Sequence, residues 1–177
     1  MIIRASDLAD INNIVALDAG YSTESVWQLA TKEAASEMSA ALKLAPLPRL
    51  MKIAPVLEGD ALRRVISRCD FVWVMQGDAP RDILGYLGMA AVPWQNAGWI
   101  SCLAVAPSHR RQGVATRLLG AARARAKAEN LASVVMDVQT KNYPATKLCQ
   151  RNGFKLAGYL DNFYPTRDIA LLYQLKI

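Results

Sequence analysis

The sequence predicts a mixed α/β domain of the α+β kind, in which a strand-rich middle is framed by helices. Three observations predict it. Apolar residues alternate with a period of two through three successive runs, "CDFVWVMQ", "DILGYLGMAAVPW" and "GWISCLAVAP", separated by "GDAPRD" and "QNAG". A helical period then takes over in "VATRLLGAARARAKAEN". Strand, short helix and further alternating runs close the chain, so helices and strands are interspersed along it. With 177 residues and 53% hydrophobic composition there is enough apolar material for one core, and a single domain over 1–177 is expected.

The elements follow in order. "MIIRA" is a short apolar start; Ser6 or Asp7 then precedes Leu8, Ile11, Ile14, Val15 and Leu17 at helical spacing, with Gly20 as a stop. Residues 21–68 fit two descriptions. "ESVWQLATKEAASEMSAALKLAPLPRLMKIAP" reads either as an Ala-rich helical stretch or as a β-hairpin running into a Pro-punctuated loop, because Val26, Gln28 and Ala30 alternate as well as they spiral. "EGDALRRVISRC" is a short helix, and the three alternating runs form an antiparallel meander. The helix from Val114 carries Val114, Leu118, Ala122 and Ala126 on one face and most of its arginines elsewhere, with Asn130 as its stop. "ASVVMDVQT" is a strand. "NYPATKLCQRNGF" is a helix with Pro144 in its first turn and Gly153 suited to the left-handed position after its end. "FKLAGY" and "RDIALLYQLKI" alternate again.

Composition excludes several classes. No apolar run reaches the roughly 18 residues of a bilayer span, and "MIIRASDLADI" turns polar too early for a secretory signal, so a cytoplasmic protein without membrane contact is expected. Cys69, Cys102 and Cys149 fit neither a disulfide framework nor zinc-ligand spacing and are expected as free thiols. With one histidine, a His-based metal site or a Ser-His-Asp triad has no material, and no metal is expected.

The net charge of +6 gathers in one place. Arg110, Arg111, Arg117, Arg123, Arg125 and Lys127 cluster in "LAVAPSHRRQGVATRLLGAARARAKAEN" without interleaved aromatics, which favours a compact phosphorylated ligand over nucleic acid. A helix start leaves backbone N–H groups unpaired and carries partial positive charge. Gly113 permits conformations closed to other residues, Ala115 keeps the approach clear, and Arg110 and Arg111 add countercharge. Neither Gly-x-x-x-x-Gly-Lys-Ser/Thr nor Gly-x-Gly-x-x-Gly is present.

The spelling from Arg110 to Ala115 resembles the Gln/Arg-x-x-Gly-x-Gly/Ala signature of the GNAT superfamily of acyl-CoA-dependent N-acetyltransferases. Its neighbours arrive in order. "ISCLAVAPSHRRQGVA" looks like the family's fourth strand and pyrophosphate loop, and Asn142, Ala145, Leu148, Gly153 and Phe154 match the Asn-x-x-Ala-x-x-Leu-Tyr-x-x-x-Gly-Phe helix. Looser similarity to streptothricin-type enzymes lies in "YSTESVWQ" and "IALLYQL", and similarity to ribosomal-protein-alanine-type enzymes lies around Asp137. The resemblance implies a GNAT fold, a twisted, largely antiparallel mixed sheet of six or seven strands flanked by helices. It implies acetyl-CoA as cosubstrate, with backbone groups of Leu103, Ala104 and Val105 on the pantetheine arm. Arg110, Arg111, Gln112, Gly113, Val114, Ala115 and Thr116 are then set around the pyrophosphate and Asn142 further along. In such enzymes an amine attacks the thioester directly, which calls for a base and for a proton donor to the departing thiolate.

This chain departs from the family at both of those positions. Cys149 stands where relatives carry an acidic tyrosine, and Tyr143, Tyr159 and Tyr164 are substitutes, with Tyr164 carried forward. The fourth strand offers no carboxylate, and Asp137, where the alanine-type enzymes carry glutamate, is the preferred base, alone or through water. The expected acceptor is a small-molecule primary amine; a peptide α-amine is one alternative and a weakly catalytic acyl-CoA-binding regulatory domain the other. A homodimer is compatible with the chain. Trp27, Trp73, Tyr86, Trp94 and Trp99 either line an acceptor pocket or fill the core, with the core favoured for most.

Overall fold

The computed structural model describes residues 1–177. After β1 (Ile2–Ala5), Asp7 caps a 3-10 turn over Leu8–Asp10 through its own side chain, and α1 (Ile11–Ala16) follows. Then come β2 (Tyr21–Ala34), β3 (Glu37–Ile53), α2 (Gly59–Ile66), β4 (Phe71–Gln76), β5 (Ile83–Val92) and β6 (Ala97–Val105). The chain finishes with α3 (Val114–Ala128), β7 (Ser133–Gln139), α4 (Tyr143–Arg151), β8 (Lys155–Leu160) and β9 (Ala170–Lys176). Seven strands form the main sheet in the order β1-β4-β5-β6-β7-β9-β8. All neighbours are antiparallel except β6 and β7, joined in parallel by the α3 crossover.

Of the two descriptions of residues 21–53 the hairpin holds: β2 and β3 form a separate two-stranded ribbon that turns at Ala34–Glu37. Its strand continues through "APLPRL", where the prolines had suggested a loop. In a two-stranded ribbon each strand has one free edge, so a residue without an N–H is tolerated there, and the register slips between Thr23 and Ser25, opposite Pro46. Trp27 ties the hairpin to the body, its Nε1 donating to Thr146 Oγ1 at 3.2 Å and its backbone N to Thr140 O at 2.9 Å.

Two apolar layers cover the sheet. On one face α3, α4 and the Phe154 that follows α4 bury Val114, Leu118, Leu119, Ala122, Ala126, Cys149 and the Phe154 ring against Leu87, Met89, Ile100, Val134, Met136 and Leu171. On the other, Ile14 of α1 and Leu62 and Ile66 of α2 pack on Val74, Tyr86, Cys102 and Ala104. A fully buried leucine such as Leu118 contributes about 2 kcal/mol. The helical face read from the sequence of α3 is the face that packs.

Candidate active site

A fork in the sheet organises the site. β6 and β7 are paired only from Ala97–Ile100 against Ser133–Met136. Beyond that point Leu103, Ala104 and Val105 of β6, and Asp137, Val138 and Gln139 of β7, have no strand partner across the gap. The cause is local. Opposite the Gly88–Met89 step of β5, β6 carries one extra residue, Ser101, and a bulge of this kind bends its strand and ends pairing. Leu103 and Val105 turn their side chains to the α3 core while Ala104 faces the other layer, so what they offer the gap is backbone.

At the end of β6 the chain makes a 3-10 turn over Pro107–His109 and then a tight loop into α3. Arg111 and Gly113 both take left-handed backbone angles, φ +63° and +82°, and Gly113 is the residue before the helix. Glycine takes that angle without the penalty other residues pay. Consecutive N–H groups from Arg111 to Thr116 find no acceptor within the chain; the first bond of the helix runs from Arg117 N to Gly113 O. Such a row of free donors at a helix start suits a diphosphate. The side chains divide differently from the sequence expectation. Arg110 is tied inward, Nε to Val105 O at 2.9 Å and a terminal nitrogen to Asp18 O at 3.1 Å. Gln112 donates to Ser108 O, Thr116 accepts from Asn152, Val114 is buried, and Arg111 is exposed. Asn142 caps α4, its Oδ1 accepting from Ala145 N at 3.1 Å.

At the point where the fork opens stands Asp137. Trp99 Nε1 donates to its Oδ1 at 3.2 Å, and the Tyr164 hydroxyl donates to its Oδ2 at 2.6 Å. Both donors are neutral, so no cation in contact cancels the carboxylate charge. Burial first, then the Asp137 charge and hydrogen bond, push the Tyr164 phenol well above its ordinary range, and it keeps its proton. Tyr164 comes from the loop between β8 and β9, and Asp168 organises that loop. Its carbonyl accepts from Phe163 N and Tyr164 N, and its carboxylate receives Thr166 Oγ1, Gln139 Nε2 at 2.8 Å and Lys141 Nζ at 2.7 Å. Burial works against the Asp168 carboxylate, but those donors leave it below its ordinary range. Tyr21, the first residue of the hairpin, donates to Gln139 Oε1 at 3.0 Å and completes the cluster.

Asp137 and Tyr164 are therefore brought together and Cys149 is not. Along β7 the residues alternate faces, and Cys149 lies on the α4 side against Met136, fully buried, with burial pushing its thiol up to about 12. Of the other tyrosines, Tyr143 packs under Lys147 and Tyr159 sits on β8 beside an apolar groove of about 760 Å³. Tyr86 is core, Trp94 is 84% exposed, and Trp99 holds Asp137. Sequence reading missed Gln139, Lys141 and Asp168. Period-two alternation from Asp137 signals Gln139; nothing local marks Asp168, which arrives from a loop 29 residues further on.

Known proteins share this architecture. The acetyltransferase (GNAT) family profile matches residues 41–154. An N-alpha-acetyltransferase of Saccharolobus solfataricus is 30% identical over 95 residues, 52% of this chain and 57% of that protein. The chain thus spans little more than half the length of the curated relative it matches. The crystal structure of nourseothricin acetyltransferase superposes with a TM-score of 0.83 at 23% identity, covering 99% of this chain and 97% of that one. A provisional streptothricin acetyltransferase of Bacillus anthracis strain Ames, solved with acetyl coenzyme A, gives 0.76 at 19% identity and the same coverage. A forked sheet, an unpaired run of amides entering α3 and a family match over 41–154 lead to one conclusion: the chain belongs to the GNAT acetyltransferase family.

Proposed function

We propose that the protein transfers an acetyl group from acetyl-CoA to the primary amine of a small molecule, by direct attack with both substrates bound. The observation that carries this reading is Asp137 at the mouth of the fork, held by two neutral donors. Acetyl-CoA supplies the activated thioester. The chain's own residues bind it, align it and move one proton. Free amides from Arg111 to Thr116 are the diphosphate ligands in this reading, and the open peptide edge of Leu103 to Val105 receives the pantetheine arm. Arg110 acts by bracing the turn, and Asn142 by fixing the start of α4.

Asp137 takes the proton from the incoming ammonium, which an anion with no neutralising partner is suited to do. Tyr164 shares a short hydrogen bond with that carboxylate and serves as the proton donor to the departing thiolate, its own proton being replaced by the one Asp137 has taken up, while Cys149 contributes packing. Lys141, Gln139 and Asp168 hold the loop that presents Tyr164.

Similarity to nourseothricin acetyltransferase over 99% of the chain supports a small-molecule acceptor. The 95-residue match to an N-alpha-acetyltransferase supports a second reading, a peptide α-amine. A cytoplasmic setting is part of the same reading, supported by three free thiols. A panel of small amines and of peptides, assayed by release of CoA thiol, decides between the acceptors. Turnover confined to peptides would overturn the preferred reading, and CoA binding without turnover on any acceptor would leave a regulatory acyl-CoA-binding domain.

A further inference from the structure

Two of the three cysteines, 33 positions apart in sequence, meet over one glycine. Cys69 follows α2, and Cys102 lies on β6 directly after the bulged Ser101. Gly88 of β5 pairs with Cys102 in register. A Cβ built on Gly88 would stand 2.8 Å from the Cys102 sulfur and 2.8 Å from the Cys69 sulfur. Each thiol therefore occupies the space that a side chain at position 88 would fill, and the sulfurs can be no further apart than twice that distance. They face each other across a missing methyl group.

The surroundings hold both sulfurs in place. Cys69 N donates to Ile66 O at 3.0 Å and its thiol to Val65 O at 3.4 Å, so the end of α2 fixes one side. The next residue, Asp70, accepts from Ala91 N at 2.7 Å, which fastens the same segment to β5. Cys102 is 8% exposed within the sheet, whereas Cys69 is only half-buried, so Cys69 is the more accessible residue of the pair.

We propose that Cys69 and Cys102 form an oxidative modification site, in which hydrogen peroxide converts the facing thiols into a disulfide between the end of α2 and β6. The Cys69 thiolate attacks one peroxide oxygen, the O–O bond breaks, and Cys69 becomes a sulfenic acid while hydroxide leaves. The Cys102 sulfur then attacks the Cys69 sulfur, an S–S bond forms, and the hydroxyl leaves as water with the Cys102 proton. In sum two thiols lose two hydrogens and one peroxide is reduced to two waters. The division of labour follows from the setting. The neighbouring Cys102 and Ser101 side chains favour the Cys69 thiolate, outweighing burial and the Asp70 charge. Cys102, buried beside Cys69 and pushed up by that neighbour and by burial, keeps its proton until the second step. Cys149, on the opposite face of the sheet, takes no part.

The test uses the full-length reduced protein and hydrogen peroxide. After treatment, thiols are alkylated in denaturant and the protein is weighed whole and as peptides. The expected result is the loss of two hydrogen masses, one remaining alkylatable thiol at Cys149, and a peptide linking Cys69 to Cys102 that a reductant releases. Three alkylated thiols, or Cys69 over-oxidised to a sulfinic acid without a linked peptide, would show the pair to be packing neighbours only. Gly88→Ala sets a methyl group between the sulfurs and should abolish the linked peptide; persistence of the link in that variant refutes the geometry. Should that variant fail to fold, Cys102→Ser serves instead. It should leave Cys69 as a sulfenic acid trapped by dimedone, and absence of the dimedone adduct counts against the proposal. None of these readouts involves acetyl transfer, so the outcome is independent of the proposed function.

Discussion

Replacement of Asp137 by asparagine separates charge from shape at the fork. The carboxylate accepts one bond from the Trp99 indole, which can only donate, and one from the Tyr164 hydroxyl, which can also accept. An asparagine can keep both contacts, with its carbonyl toward Trp99 and its NH₂ toward a rotated Tyr164 hydroxyl. What is lost is the negative charge and the ability to take a proton. A positioned general base is worth roughly 10²–10⁴ in rate, so kcat/KM for a primary amine should fall by about 3–5 kcal/mol in transition-state free energy. Binding of CoA, measured by calorimetry, should stay within about twofold, because the diphosphate turn is untouched. The tyrosinate absorbance of Tyr164 should appear at lower pH in the variant, since the Asp137 charge and hydrogen bond are among the causes of its raised pKa. A variant that retains kcat/KM to within about threefold, with an amine whose ammonium form dominates at the assay pH, would refute the role assigned to Asp137.

Four other outcomes follow from the same structure. Tyr164→Phe should cost about 10–100-fold in kcat/KM at unchanged CoA affinity. Cys149→Ala should leave kcat/KM within about threefold while lowering stability by about 1–2 kcal/mol through a small core cavity, read by denaturant unfolding. Gly113→Val forces a β-branched residue to φ +82° and should weaken CoA binding about tenfold or more, measured by calorimetry; undiminished binding would remove the turn from the site. The Arg4 guanidinium holds the buried Asp10 carboxylate below its usual range. A lowered folded pKa gives stability that is complete above the unfolded value near 3.9 and lost as pH falls through the folded value. Asp10→Asn should therefore cost about 2–4 kcal/mol near neutral pH, with the gap to wild type closing in acid.

The legible parts of the chain were those whose physics is local. The period-two runs of β4, β5 and β6, the apolar face of α3, and Pro144 and Gly153 at the ends of α4 all stand as the sequence indicates. The turn before α3 was legible for the same reason, since a positive φ at Gly113 leaves its mark in one residue type. The hairpin of β2 and β3 was not, because alanine-rich alternation over Val26 to Ala30 carries little preference and only pairing across 13 matched positions decides it. The hydrogen bonds of Arg110 are not legible in the same way: its charge suggests a phosphate ligand, and nothing in the local sequence shows that its guanidinium also reaches the carbonyls of Val105 and of Asp18. The loop with Tyr164 and Asp168 reaches Asp137 by tertiary placement alone, and no spacing rule carries that information.

The Arg110 brace has a mechanical consequence. One guanidinium joins the last carbonyl of β6 to Asp18, and three residues beyond Asp18 the chain delivers Tyr21 to the Asp137 cluster. Under the proposed function, the Asp137 cluster that meets the acceptor and the turn that meets the donor are thereby stitched together by a single side chain. Loosening that stitch would let each half of the reaction lose its alignment with the other, even with every contacting residue intact.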